Sequence, residues 1–317
     1  MIKYLKLVRW INLLIVAGTL YVMRFFILKP LLEYAGFQLL FDEWHFLLMV
    51  ISAMSYTAAG YVINDYFDTQ TDVMNRPERV IVGREISRRV AIILHFVLNA
   101  IAAILGIYIS FYIRISALAA ICLIIPGILW FYSTSYKRQL IIGNVIVALL
   151  TALVPLAVFL SEMPLQARVH GQTLLGNHAF INMVFYWIGG FSYFAFLLTL
   201  IREIVKDVED FEGDAAFGRN SLPVALGIPY TKLILYLLTA LAAVSVLFIY
   251  FKFLTDTITL LYFLILLVIP MLVMAYLVYK ASDRKDYTRI SLLLKIIMLA
   301  GLSYAVVANF IMRYSIV

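Results

Sequence analysis

Phe46–Asp72 reads FLLMVISAMSYTAAGYVINDYFDTQTD, an apolar run that closes on Asn64 and then carries Asp65, Asp68 and Asp72. Residues 46–64 hold no charge, and about 20 apolar residues rising 1.5 Å each suffice for a helix to cross the hydrocarbon core of a bilayer. Strand alternation is absent, and a β-barrel would need short alternating segments instead. The stretch therefore reads as a membrane helix with carboxylates at one end. Working outward, runs of the same kind fall at approximately 8–28, 90–112, 115–132, 141–160, 179–200, 233–252, 258–279 and 293–312, which with 46–64 makes nine spans. The third and fourth are separated only by Arg114 and a few neighbours. The first follows Lys3, Lys6 and Arg9 as a signal peptide would, but it is too long for an h-region and lacks a small-residue cleavage site. It reads as a retained helix.

Composition excludes the water-soluble classes. Of 317 residues 64% are hydrophobic and 14% charged, against roughly 45–50% and 25% in soluble domains. A mean hydropathy of +0.99 leaves too little polar surface to coat a globule. A soluble enzyme, a disordered chain and a nucleic-acid partner are ruled out, and the expected fold class is all-α, polytopic in the membrane. The single cysteine, Cys122, lies in an apolar run, so neither a disulfide framework nor a thiolate metal site is available. The net charge of +7 is explained by topology. With the N-terminus cytoplasmic, 19 of the 25 basic residues fall in inside segments, as the positive-inside rule requires. The C-terminus is then outside, and the expected location is a prokaryotic plasma membrane.

The acidic residues are distributed differently. Eleven of 18 lie in two inside segments: Asp65, Asp68, Asp72, Glu78 and Glu85 after the second span, and Glu203, Asp207, Glu209, Asp210, Glu212 and Asp214 after the sixth. A carboxylate at a membrane helix end is costly unless solvated or paired. Asn64, Asp68 and Asp72 are each four apart and share one helical face; so do Asp210 and Asp214. Asp68 to Asp210 and Asp72 to Asp214 are both separations of 142 residues, which suggests two related four-helix halves plus one helix within a single domain, 1–317. Oxygen-only donors point to a hard divalent cation, and Mg²⁺ favours a few carboxylates together with substrate phosphate oxygens. The same loops hold Arg76, Arg79, Arg84, Lys137, Arg138, Arg202, Lys206 and Arg219. Carboxylate, metal and guanidinium together describe a diphosphate site, since Arg forks match phosphate oxygens.

At these residues a family resemblance emerges. NDYFDTQTDVMNRPERVIVGREIS, Asn64 to Ser87, resembles the NDxxDxxxD motif and Asn-Arg-Pro-x-Arg continuation of the UbiA superfamily of intramembrane prenyltransferases. KDVEDFEGDAAFGRNSLPVALG, from Lys206, resembles that family's second Asp-rich motif. One departure is Arg79-Val80-Ile81-Val82-Gly83 where the family often has Arg-Pro-Leu-Pro-Ser-Gly. The resemblance implies a nine-helix bundle around a central cavity with a side opening to lipid. It implies that Asn64, Asp68, Asp72, Asp207, Asp210 and Asp214 bind Mg²⁺, with Asp68, Asp72, Asp210 and Asp214 essential for catalysis. Arg76, Arg79, Lys137 and Lys206 would contact the diphosphate, with Asn144 nearby. The implied substrates are a polyprenyl diphosphate and a membrane-associated acceptor. The form of the second motif favours the branch that alkylates geranylgeranylglyceryl phosphate over an aromatic quinone precursor such as 4-hydroxybenzoate or dihydroxynaphthoate.

Two other classes compete. A CDP-alcohol phosphatidyltransferase has one aspartate ladder in an Asp-Gly-x-x-Ala-Arg context, whereas this chain has two and lacks that context. A transporter places acids near the midplane on broken helices, whereas these sit at helix ends. His45, His95, His170 and His178 have no ligand spacing. Asn99 and Asn309 read as packing contacts, Pro126, Pro155 and Pro270 as tolerated kinks, Gly189, Gly190 and Ser192 as close-packing positions, and 161–178 as a polar outer loop.

Overall fold

The computed structural model describes residues 2–75, 77–175 and 178–314. Among these, nine helices are long and apolar enough to cross a membrane: α1 Trp10–Tyr34, α2 Glu43–Asn75, α3 Arg88–Ile113, α4 Ser116–Arg138, α5 Ile142–Gly171, α6 His178–Glu209, α7 Ile228–Leu254, α8 Thr257–Lys280 and α9 Arg284–Arg313. The nine expected spans are all present, but most run past their apolar runs. α2 continues eleven residues beyond Asn64, so Asp68 and Asp72 stand on regular helix. A backbone whose hydrogen bonds are satisfied within the helix has no reason to stop where hydrophobicity stops.

The helices pack as antiparallel hairpins, α2 against α3 and α5 against α6, with α9 lying along α6 and α1 closing onto α2, α5 and α9. The α3–α4 connection is a tight turn in which Arg114 takes the left-handed conformation (φ 59°) and Ile115 N–H bonds Ser110 C=O at 2.9 Å. Close approach of α3 and α4 follows from a small residue. A Cβ on Gly106 would lie 2.5 Å from Cys122 Sγ. The turns before Pro30 and Pro270 widen into π-helical segments, Met23–Leu28 and Leu264–Val268, since each proline lacks an N–H and crowds the preceding turn. Large apolar side chains such as Ile104, Phe111 and Phe248 point outward, fully available to lipid.

The expected outer loop at 161–178 is corrected. α5 runs through it to Gly171, where φ 48° breaks the helix. Its polar residues are internal instead: Glu162 is 1% exposed and accepts from the backbone N–H groups of Leu40 (2.7 Å) and Phe41 (3.1 Å). Gln166 donates to Gln38 C=O and to Glu162. The α1–α2 connection is irregular backbone held at this end, and α5 supplies the partners it lacks. Buried Arg24 joins in, donating to Phe41 C=O (2.5 Å) and Glu43 (3.0 Å). Among the described residues Asn99 bonds within its own helix to His95, while His95 Nδ1 makes the cross-helix contact to Ala59 C=O (3.0 Å). Ser192 does pack closely, donating to Ala152 C=O at 2.5 Å. Gly190 does not: a Cβ there would meet nothing within 4 Å.

At the opposite end, the α4–α5 and α6–α7 connections meet. Gln139–Leu140 pairs in parallel with Asn220–Ser221, fastening together the loops that follow Lys137 and Arg219. A short helix, Phe211–Ala216, fills the gap beside α2, with Gly213 N–H bonded to Asn75 Oδ1 at 3.1 Å.

Candidate active site

A cavity of about 1080 Å³ occupies the bundle. Its walls are apolar and aromatic, with Trp187, Phe191 and Phe194 of α6 facing Val147, Leu150 and Val154 of α5. Its floor at the acidic end is polar, formed by Arg9, Asn64, Arg202, Glu203 and Lys206 with Tyr132. Ile15 of α1 and Leu299 of α9 both line it and are partly exposed. Such a space suits a long apolar chain with a charged head.

The α2 face expected from the spacing meets this floor at Asn64; Asp68 and Asp72, further along the same face, are not among the cavity-lining residues. Asp68 is 6% exposed. Lys137, at the end of α4, donates to Asn64 Oδ1 (3.2 Å) and pairs with Asp68. Its place depends on Gly143, where a Cβ would come 2.7 Å from Lys137 Cα. Arg219 reaches the same Asp68 carboxylate, bonds Thr71 Oγ1 at 2.9 Å and Asp214 Oδ1 at 3.2 Å. One guanidinium thus joins the two acidic motifs, using both arms of its planar fork. Burial raises the Asp214 carboxyl above the ordinary carboxylate range, against the lowering pull of Arg219. For Arg219 burial acts to lower the pKa, and Asp68 and Asp214 more than offset it.

The second motif divides. Asp207 accepts from Asn144 Nδ2 at 2.7 Å, whereas Asp210 lies toward α9, 3.7 Å from Arg284. Lys206 lines the cavity, but its bonded partner is Glu203 (2.6 Å), shared with Arg202 (3.0 Å). Arg76 lies outside the described residues, as does the Arg79 side chain. Two contributors escaped the sequence reading. Arg219 was visible only as one basic loop residue among eight. Arg9, which holds Asp65 at 2.9 Å and lies 4.5 Å over the Tyr61 ring, reads in the sequence as a topology charge; nothing in the sequence places the start of α1 beside α2.

The donor set, carboxylates with one amide oxygen, has the chemistry of a hard divalent cation site. Among the described residues no three carboxylate, imidazole or thiolate groups come close enough to share one ion. Asp68 is instead paired with Lys137 and Arg219.

Residues 32–299 match the family model described as the UbiA prenyltransferase family. A digeranylgeranylglyceryl phosphate synthase of Methanothermobacter thermautotrophicus is 31% identical over 260 residues, 80% of this chain and 81% of that one. Among solved structures, a digeranylgeranylglyceryl phosphate synthase in membranes superposes with a TM-score of 0.60 at 24% identity, covering 97% of both chains. A UbiA homologue from Archaeoglobus fulgidus bound to GPP and Mg²⁺ gives 0.58 at 19% identity over 96% of this chain and 99% of that one. With nine apolar helices, this chain is an integral membrane protein.

Proposed function

This chain belongs to the UbiA prenyltransferase family, and on that premise we propose that it transfers a geranylgeranyl group from its diphosphate to geranylgeranylglyceryl phosphate, releasing diphosphate. The likeness to digeranylgeranylglyceryl phosphate synthase over four fifths of both chains carries the choice of acceptor. The geometry is consistent with it: an apolar cavity ends on a floor of paired acids and bases.

In this reading Asn64, Asp68 and Asp72, with Asp207, Asp210 and Asp214 opposite, hold Mg²⁺. The ion supplies charge neutralisation for the departing diphosphate. Lys137, Lys206, Arg76 and Arg79 bind the diphosphate oxygens, and Lys137 has only to exchange a carboxylate oxygen for a phosphate oxygen to do so. As the allylic C1–O bond breaks, the electron pair leaves with diphosphate and positive charge grows on C1. The apolar walls keep water from that carbon, so the glyceryl hydroxyl oxygen forms the new C–O bond while its O–H bond breaks and the proton passes to the released diphosphate. The excess of basic residues at the acidic end supports a cytoplasmic active site with the C-terminus outside. The whole chain functions as one domain, and the 142-residue offset between its two motifs is the trace of two related halves.

The test is a radiolabelled transfer assay on purified protein with geranylgeranyl diphosphate and Mg²⁺, run with EDTA controls and with geranylgeranylglyceryl phosphate and 4-hydroxybenzoate offered in parallel. Metal-dependent label in the glyceryl lipid is expected. Label only in the aromatic product would overturn the acceptor, and none in either would overturn both.

A further inference from the structure

Beside the cavity floor lies a second concavity, of about 500 Å³, between α6 and α9. Its lining carries five cations, Arg202, Lys206, Lys285, Arg289 and Lys295, against one acid, Glu209. The cations come from two facing helical stripes. Arg202, Lys206 and Glu209 are spaced four and three apart on α6; Lys285, Arg289, Leu292 and Lys295 are spaced four, three and three on α9. Topology alone would satisfy the positive-inside rule with solvated side chains pointing anywhere. It does not require five of them to converge on one hollow. Nor does it require Arg202 to be mostly buried, with an Nε that has no hydrogen-bond partner among the described residues.

Arg202, Lys206 and Lys295 line both this pocket and the main cavity. The two spaces therefore share a wall made of cations. From Lys295 the α9 surface continues as exposed apolar Ile296 and Leu299, the latter lining the main cavity. A ligand with a phosphate head and an isoprenoid tail fits this sequence of surfaces from polar to apolar.

Resting on the acceptor named above, we propose that the α6–α9 pocket is a phosphomonoester subsite that holds the phosphate of the lipid acceptor, apart from the diphosphate of the donor on the α2 side. Lys285, Arg289 and Lys295 grip the phosphate from α9, and Arg202 and Lys206 face it across the shared wall. The pocket's one acid, Glu209, accepts a hydrogen bond from the Thr288 hydroxyl at 2.9 Å. Two substrates bearing phosphate groups then enter one floor from different sides, with Lys206 in the wall between them.

The experiment compares full-length protein in neutral-lipid nanodiscs with K285A/R289A and, as a milder change, K295Q. Three quantities are read: equilibrium binding of geranylgeranylglyceryl phosphate without donor, KM for acceptor and donor separately, and inhibition by inorganic diphosphate. Loss of charge-assisted bonds to the phosphate is expected to weaken acceptor binding and raise acceptor KM roughly tenfold or more. Donor KM and diphosphate inhibition should move less than twofold, and the wild-type preference for the phosphorylated lipid over geranylgeranylglycerol should shrink. Unchanged acceptor binding would overturn the subsite. So would a rise confined to donor KM or diphosphate inhibition, which would make the pocket a donor or product site. So would a wild-type acceptor affinity abolished by adding phosphatidic acid vesicles, which would make it a general anionic-lipid site. If the wild type binds the glyceryl lipid through these residues yet transfers nothing to it, the subsite stands and the acceptor reading fails.

Discussion

Arg219 is the residue on which the two acidic motifs depend. It is the shared counter-charge of Asp68 and Asp214, which are 6% and 4% exposed. Removing one partner of a buried ion pair leaves an uncompensated charge, at a cost of about 3–5 kcal/mol. Arg219→Ala is therefore expected to lower the thermal midpoint in detergent and to reduce prenyl transfer roughly a hundredfold or more. Arg219→Lys should restore little, because an ammonium cannot bridge two carboxylates and Thr71 as a planar fork does. Asp214 carries a pH dependence whose sign is fixed. Its folded pKa is raised by burial, so ionising it opposes folding. Metal-free protein should lose stability as pH climbs from the ordinary carboxylate range through the raised value. A bound cation needs the carboxylate, so the gain in thermal midpoint on adding Mg²⁺ should grow over the same interval. A gain that shrinks as pH rises would contradict the assignment of Asp214 as a ligand.

At the scale of elements, short connections do the positioning. Gly143 lets α5 start against the backbone of Lys137. Gly143→Ala overfills that contact and should cost about 1–3 kcal/mol, with a larger loss in donor binding than in acceptor binding, read as separate KM values. At the far end, Glu162 accepts two backbone N–H groups of the α1–α2 connection. Glu162→Ala strands them and should destabilise by roughly 2–4 kcal/mol, visible as a lowered thermal midpoint, while donor KM stays near wild type. The sequence made Glu162 look like loop because its neighbours are polar. Only the packing of α5 onto residues 38–41 shows that they are polar in order to serve buried backbone. By contrast, the face shared by Asn64, Asp68 and Asp72 was legible, because a 3.6-residue period needs no partner to be computed.

For the whole molecule, the cavity is what the helices leave open, and small residues on α6 form part of its wall. Gly190 lines it with space for a side chain. Gly190→Phe should fold normally, narrow the cavity and shift kcat/KM from geranylgeranyl diphosphate toward shorter prenyl diphosphates; an unchanged preference would mean that the chain lies elsewhere. The sequence by itself determined the nine membrane helices and the two acidic motifs at one end of them. Those follow from local quantities, namely hydrophobic run length and residue spacing along one helix. The tertiary structure alone decided that Arg219 joins the motifs, that Arg9 and Asn144 hold Asp65 and Asp207, and that α6 and α9 set five cations around one hollow. Those depend on which helices are neighbours, and in a bundle of similarly apolar helices the choice of neighbours is made by side-chain fit across distant parts of the chain.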